Sequence, residues 1–450
     1  MIDWANRHLV QPLAAFKAGS RHLQYWKLLE RTQYDPPAVV RGRQLARLKM
    51  VLRHAYATVP YYRHAWDAIG RHPDDVKSFD DLKSLPVVTK TDLRTTPDDF
   101  LSDRYDRAKL LVKTTSGSTG VPLTIRIDEA GKQWKAACTI RSDEWSGYRL
   151  GQRVAKVWGN PEYRQFGWRG TLRNRLLDRA TYLDTLDLTD GRIREFVAAL
   201  RRRPPGLLFG HAHSLYLLAN RLLADGVTDI RPNGIVSTAM PLHDWQRTAI
   251  TQAFGVNPSN RYGCEEVSLI AAECPAHRGL HVNADSVFTE IEGGGPTGNL
   301  LVTDLSNFAM PIIRYRIGDV VTAGEDGVCP CGRGLPRLAS VQGREADFVV
   351  TPDGRMISGI SLTENFALHI PGTAQVQIVQ ETVHHVRIRI VPDERFTRES
   401  ETKVAELVRT TFGPGVRHDL ERIAAIPQEA SGKYRFCISK VPKGELRAAA

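Results

Sequence analysis

The fold this sequence predicts is α/β, with a large first domain and a small appended one, on three observations. Between about residues 110 and 345, short apolar runs alternate with helical patterns, the mark of strands covered by helices. The chain has 450 residues, well past the ~250–300 at which a single core stops growing. After residue 347 the pattern switches to period two and then to one amphipathic helix. We expect a large, helix-covered, multi-sheet domain over 1–346 and a small α+β domain over 347–450.

Taken in order, residues 1–80 read as helical. Apolar residues recur at helical spacing through Leu45, Leu48, Leu52, Ala55 and Ala57, and Val59-Pro60-Tyr61-Tyr62 is expected to end that run. Leu110-Leu111-Val112 and Pro122–Ile127 read as short strands. Further strands are expected at 153–158, 206–210 and 233–238, with helices over 213–224 and 243–254. In the last hundred residues, 374–379 and 386–391 alternate with period two around Val383-His384-His385. A helix then presents Val404, Leu407, Val408 and Phe412 on one face.

Composition narrows the function classes. Hydrophobic content of 42% with 25% charged residues is ordinary for a soluble globular chain. No stretch approaches the ~20 apolar residues of a membrane span, and Met1–His8 lacks the features of a signal peptide. A cytoplasmic location is expected. The net charge of +11 favours polyanionic partners such as ATP, coenzyme A or anionic lipid. No nucleic-acid-binding motif accompanies it, so nucleic acid is not expected as a partner. Arg164, Arg169, Arg173, Arg175 and Arg179 lie among Tyr163, Phe166 and Trp168. They read as a solvated helix face or as a docking face for an anionic acceptor or membrane surface. The sequence leaves self-association open.

The most informative stretch is Thr114-Thr115-Ser116-Gly117-Ser118-Thr119-Gly120, between two strand-like runs. Its glycines permit close backbone approach, and hydroxyls with backbone N–H groups converge as donors for phosphate oxygens. The alternative is a flexible Ser/Gly linker. Other motifs follow in order. Arg261-Tyr262-Gly263-Cys264-Glu265-Glu266 offers an aromatic to stack on a base and a carboxylate for a hard cation such as Mg²⁺. Arg314–Asp319 ends on an acid suited to ribose hydroxyls. Gly343-Arg344-Glu345-Ala346-Asp347 marks the change of domain, and Ser431-Gly432-Lys433 places a lysine near the C-terminus.

This ordered set resembles the superfamily of acyl-CoA synthetases, adenylation domains and luciferases. Within it, the chain is most similar to the phenylacetate–coenzyme A ligase-like branch, which includes members associated with capsular polysaccharide biosynthesis. Val59–Arg63 and Leu85–Leu93 also match that branch, and the resemblance covers about residues 50–440. It implies that Ser116, Gly117, Ser118, Thr119 and Gly120 hold the ATP β- and γ-phosphates. Tyr262 would pack on adenine, Glu266 would ligate Mg²⁺, and Asp319 with Arg344 would bind the ribose. Asp347 would be the hinge of a mobile C-terminal domain, and Lys433 would reach the α-phosphate and the substrate carboxylate. The implied reaction makes an acyl-adenylate with loss of pyrophosphate, and a thiol, most often coenzyme A, then displaces AMP. Delivery to a carrier protein or an amine is the rival, and a degenerate nucleotide-binding interaction module is a third reading. Two departures stand out: Glu265 replaces the usual Thr or Ser, and Met240 occupies a position that commonly carries an acid.

Six cysteines are too few and too uneven for a disulfide scaffold. Cys274 and His281, with Cys329 and Cys331, have the chemistry of a closed tetrahedral Zn²⁺ site of structural type. His277 competes with His281, and reduced unliganded thiols are the alternative.

Overall fold

The computed structural model describes residues 2–114, 123–158, 167–186, 188–342, 348–426, 435 and 437–441. Helices come first. Ile2–Ala5, Asn6–Val10 and Gln11–Lys17 form one helical run whose middle five residues wind as a π-helix. His22–Thr32, Pro37–Thr58 and Pro60–Asp67 follow. The expected stripe is buried at Leu48, Leu52 and Ala55, while Ala57 faces solvent. The run ends at Thr58 with Val59 extended, as expected, and Pro60 has a second role. It opens the next helix at the first position, where a missing N–H costs nothing. Tyr62 and Trp66 then enter the core one turn apart, and Tyr62 Oη donates to Pro311 O at 3.0 Å.

The strands are β1 (Leu111–Thr114), β2 (Thr124–Ile127), β3 (Val154–Val157), β4 (Ala180–Leu183), β5 (Leu207–His211), β6 (Gly234–Thr238), β7 (Ser259–Cys264), β8 (Ser268–Glu273), β9 (Leu280–Val282), β10 (Val287–Ile291), β11 (Thr297–Asp304), β12 (Tyr315–Ala323) and β13 (Arg337–Gln342). β1 and β2 pair antiparallel as a separate ribbon, in register from Leu111↔Ile127 to Thr114↔Thr124. The other eleven form one sheet, ordered β10-β11-β12-β13-β9-β8-β7-β6-β5-β3-β4.

This sheet has two halves that meet at β7. From β4 to β7 every pairing is parallel, and helices Asp190–Arg202, Ala212–Ala224 and Asp244–Phe254 make crossovers. That half follows the alternation read from the sequence. Beyond β7 every pairing is antiparallel, and no helix interrupts residues 259–342. The expected alternation therefore stops at Phe254. Several of these later strands are short or buried on both faces, as in β9, so they carry no clean period.

The antiparallel half also curls. β12 and β7 are four strand spacings apart, about 19 Å if the sheet were flat. Yet Tyr262 Oη of β7 donates to Asp319 Oδ2 of β12 at 2.7 Å. The sheet must therefore bend back toward its own middle, as a partly closed barrel does.

Helix Glu129–Trp145 is pinned across the sheet by buried charge. Its N-cap Asp128 accepts from Gly131 N at 2.7 Å, and its other carboxylate oxygen accepts from Phe308 N at 2.8 Å. Lys135 Nζ donates to Asp304 Oδ2 at 2.6 Å and to Val267 O at 3.0 Å. One turn and a half later Arg141 Nη1 meets Asp285 Oδ2 at 2.7 Å.

The C-terminal residues add β14 (Phe348–Val350), β15 (Met356–Ser358), β16 (Thr373–Thr382), β17 (His385–Pro392), β18 (Arg417–Arg422) and β19 (Cys437–Ser439). Their main sheet runs β18-β17-β16-β19, and β16 turns into β17 at the expected place. Ile378, Val386, Ile388 and Ile390 pack on Phe366 of helix Gly359–His369 and on Val404, Val408 and Phe412 of helix Arg398–Phe412. Ala212 and Met240 of the larger unit join this same apolar cluster. No helix among the described residues is long and apolar enough to cross a membrane.

The Lys135–Asp304 contact gives the first prediction. Lys135→Met leaves the fully buried Asp304 carboxylate without its cation, a loss that typically costs 3–5 kcal/mol. Thermal melts should show a clear fall in Tm, and an unchanged Tm would mean that the pair does not hold this helix to the sheet.

Candidate functional site

In sheets with parallel strands, ligands bind outside the carboxyl ends of the strands. Here those ends carry Trp158 after β3, His211 on β5, Thr238 on β6 and the Glu265-Glu266 turn after β7. Glu266 is buried, and its Oε1 accepts from Tyr315 Oη at 3.0 Å. Lys90 Nζ lies 3.5 Å from the same oxygen. Burial lowers the Arg94 guanidinium, and the nearby Tyr315 and Glu266 push it back up.

Lys90 and Arg94 stand one turn apart on helix Lys90–Thr95, so both can face one carboxylate. That helix is fixed by a reciprocal cap, in which Asp92 N donates to Thr89 Oγ1 at 3.3 Å and Thr89 N to Asp92 Oδ2 at 2.7 Å. The bridge between Val88 and Tyr315 sets it beside β12. Sequence reasoning gave Lys90, Arg94 and Tyr315 no role. The Thr89-x-x-Asp92 capping pattern was the available signal for the helix, but nothing local says which distant carboxylate it faces.

Of the residues expected to hold nucleotide, the structure brings three together. Tyr262, Asp319 and Glu266 are linked through β7, the turn after it and β12 by the Tyr262–Asp319 and Tyr315–Glu266 hydrogen bonds. Glu265, the departure from the family pattern, lies 3.5 Å from Lys113 Nζ on β1, at the base of the ribbon that leads into Thr115–Gly120. An acid there has a cation to meet, which a Thr or Ser would not need. Ser116, Gly117, Ser118, Thr119 and Gly120 themselves lie outside the described residues, as do Arg344, Asp347 and Lys433.

Met240, the second departure, is buried beside Val349, Ile357 and Phe366 of the C-terminal unit in one apolar cluster. An acid there would have to be desolvated, so a thioether suits the site better. The ends of β3 and β5 also meet through their side chains. The His211 ring centroid lies 3.9 Å from that of Trp158. Burial pushes the imidazoles of His211 and His213 down to about 3, so both are neutral near pH 7.

The Cys/His set forms a second centre. Cys274 follows β8, His281 sits on β9, and Cys329 and Cys331 lie between β12 and β13. Their four ligand atoms all lie within 4.8 Å of one another. Cys274 Sγ is 3.8 Å from Cys329 Sγ, and Cys331 Sγ is 3.3 Å from His281 Nε2. A tetrahedron with Zn–S bonds of about 2.3 Å has S···S edges of about 3.8 Å, so the spacing fits that ion. His281 Nδ1 lies 3.3 Å from Leu335 O and donates to it, which leaves Nε2 to face the thiols. Burial pushes the His281 imidazole down to about 4, the neutral form a metal requires. It pushes the Cys274 thiol up to about 12. Burial acts upward on Cys331 too, but hydrogen bonds from Arg333, Cys329 and Cys274 together hold that thiol below its ordinary value. His277 does not compete. Its Nδ1 lies 3.2 Å from Glu273 Oε2, in a group that also includes Arg247.

Comparisons with known proteins place these observations. Residues 349–440 match the family model described as the CapK C-terminal domain. The chain is 26% identical over 436 residues to the phenylacetate-coenzyme A ligase of Aromatoleum evansii, covering 91% of this chain and 93% of the relative. It is 22% identical over 369 residues to Protein CapK of Staphylococcus aureus, covering 80% of each. A solved structure of 2-hydroxyisobutyryl-CoA ligase in complex with 2-HIB-AMP and CoA superposes with a TM-score of 0.60 at 22% identity, over 93% of each chain. The fold is therefore that of the adenylate-forming CoA ligases. Within that class, the chain is related to the phenylacetate–coenzyme A ligases and to CapK.

Proposed function

We propose that this protein is an AMP-forming carboxylate–coenzyme A ligase. The observation that carries the reading is the convergence of Tyr262, Asp319 and Glu266 at the carboxyl end of β7, beside the ribbon that leads into the Ser/Thr/Gly loop. Lys90, Arg94 and Lys113 surround that turn and offset the charge of Glu265 and Glu266. The relatives that match nearly the whole length are ligases of this class.

In this reading Tyr262 packs on adenine, and Asp319, assisted by Arg344, accepts from the ribose hydroxyls. Ser116–Gly120 cradle the β- and γ-phosphates. Glu266 supplies one buried carboxylate, which is enough protein ligand for Mg²⁺ when phosphate oxygens and water complete its shell. That ion would neutralise charge on the phosphates. The substrate carboxylate attacks the α-phosphorus, the bond to pyrophosphate breaks, and an acyl-adenylate remains. Lys433 reaches the α-phosphate in this pose, and rotation about Asp347 then readies the site for thiol attack, which releases AMP. The side chains act by stabilising charge in place, as phosphoryl-type transfer requires. Trp158, His211 and the 237–242 segment line the acyl side. Cys274, His281, Cys329 and Cys331 hold a structural Zn²⁺ with no open position, supported by their spacing. The six cysteines, none in a disulfide, fit a reducing compartment and thus the cytoplasm.

The decisive assay is pyrophosphate release across a panel of carboxylic acids, with and without coenzyme A. AMP-forming turnover that depends on coenzyme A is expected. Adenylate formation that coenzyme A does not pull forward would point instead to a carrier-protein or amine acceptor. Lys433→Ala should cut adenylate formation by orders of magnitude yet still convert supplied acyl-adenylate to thioester, because the two half-reactions use different poses. Wild-type pyrophosphate exchange in that variant would remove Lys433 from the mechanism.

Freshly purified protein should hold about one zinc per chain. Cys329→Ser should lose it, with a drop in Tm and little change in ATP affinity. Metal analysis finding none in chelator-free wild type would contradict the zinc assignment.

A further inference from the structure

Of the large apolar side chains exposed among the described residues, eight lie on two neighbouring helical segments. On the N-terminal run, Ile2, Leu9, Leu13 and Phe16 follow one another at spacings of seven, four and three residues, which puts them on one stripe. All four are exposed, Phe16 to 83%, and Trp4 beside them to 62%. On the helical stretch Gly167–Arg173 and Asn174–Asp178, Trp168, Leu172 and Leu176 recur every four residues and are also exposed, Trp168 to 73%. The opposite side of this stretch is anchored by buried Gly170 and half-buried Asn174 and Leu177. The two segments lie side by side. Asn6 Nδ2 donates to Leu176 O at 2.5 Å and Gln11 Nε2 to Leu177 O at 3.1 Å.

Charge on this face has one sign. Residues 2–21 and 167–179 carry seven Lys and Arg against two Asp, and Arg7 pairs with buried Glu144 at 2.5 Å, which leaves a net +4. Both acids are already neutralised, Asp3 by Arg179 at 2.6 Å and Asp178 by Arg173 at 3.3 Å. The cations follow the apolar residues one by one: Lys17 after Phe16, Arg169 after Trp168, Arg173 after Leu172. The Arg169 guanidinium lies 5.3 Å from the Trp168 ring centroid.

We propose that this paired-helix face docks on an anionic lipid bilayer, lying in the plane of the interface. Exposed Trp, Leu and Phe with Arg and Lys at the next position is the composition of an interfacial helix. The long basic side chains can reach headgroup phosphates while the apolar ones enter the acyl boundary. At about 24 and 18 Å, runs of 16 and 12 residues are too short to span a bilayer. The proposal is independent of the ligase reading, since it uses none of the residues assigned to the β7 site.

The test is flotation of the full-length protein with vesicles of phosphatidylcholine alone or mixed with phosphatidylglycerol, at low and high salt, with tryptophan emission followed in parallel. Binding should require the anionic lipid, weaken at high salt and shift the emission to the blue. Leu13→Glu with Phe16→Glu, or Trp168→Ser, should abolish the blue shift and most of the binding. Arg169→Glu with Arg175→Glu should weaken binding at least about fivefold per arginine. The control Arg202→Glu with Arg409→Glu makes the same change in net charge on exposed positions elsewhere. Unchanged melts establish that each variant folds. The proposal fails if anionic vesicles are not bound at low salt, or if the control weakens binding as much as the face variants. It fails equally if the face variants instead abolish self-association in sedimentation, which would make the face a contact between two copies of this chain.

Discussion

The curl of the antiparallel half-sheet is the constraint on which the rest of the molecule depends. A flat eleven-stranded sheet would leave Asp319 about 19 Å from β7, with no site between them. The bend brings Asp319 against Tyr262 and Tyr315 against Glu266, so that residues 57 and 49 positions apart meet. The parallel half contributes the usual asset of its class, strand ends that open on one edge. β7 belongs to both halves, and the turn after it carries the most buried acid of the site.

Holding such a bend takes more than apolar packing, and the structure places buried ion pairs and the Cys/His cluster along it. Lys135 and Arg141 fasten helix Glu129–Trp145 to Asp304 and Asp285. Arg314 pairs with Glu290 at 3.2 Å and reaches Lys83 O at 3.1 Å, joining two strands to the segment before helix Lys90–Thr95. Burial raises Glu290 while Arg314 draws it down, and the net direction is upward. Pairs of this kind add little stability over apolar residues of the same volume, but breaking one is expensive. They act as pins that penalise other arrangements of the sheet. Cys274 and His281 with Cys329 and Cys331 do similar work, drawing the β12–β13 connection onto β8 and β9.

The parallel half was legible in the sequence because β5, β6 and their helices have periodicities set by their own burial. Strands expected at 206–210 and 233–238 lie at 207–211 and 234–238. The C-terminal hairpin was legible for the same reason, with Ile378, Ile388 and Ile390 alternating inward. The antiparallel half was not, because burial on both faces removes the period-two pattern: β8 is buried at five consecutive positions and β11 at its last five. β9, for instance, has three residues and is buried throughout. Pro60 marked the end of the first helix, while the helix it opens rests on the packing of Tyr62 and Trp66, which the local sequence does not show. At the site, Tyr262, Glu266 and Asp319 were legible through the order of motifs, whereas Lys90 and Arg94 were not. Their relation to Glu266 spans more than 170 residues and exists only once the sheet has curled. The Cys/His cluster was legible by chemistry, and the place of His281 rather than His277 in it needed the Glu273 and Arg247 partners of the latter.

The central claim is that Asp319 and Tyr262 form the nucleoside end of a nucleotide site across the closed sheet. Calorimetric titration of ATP and AMP into wild type and Asp319→Ala tests it most directly. Both nucleotides carry the same ribose, so loss of a charge-assisted hydrogen bond, worth about 1.5–3 kcal/mol, should weaken both by similar factors of roughly 10 to 150. Unchanged affinity for both, with melts showing the variant folded, would contradict the account.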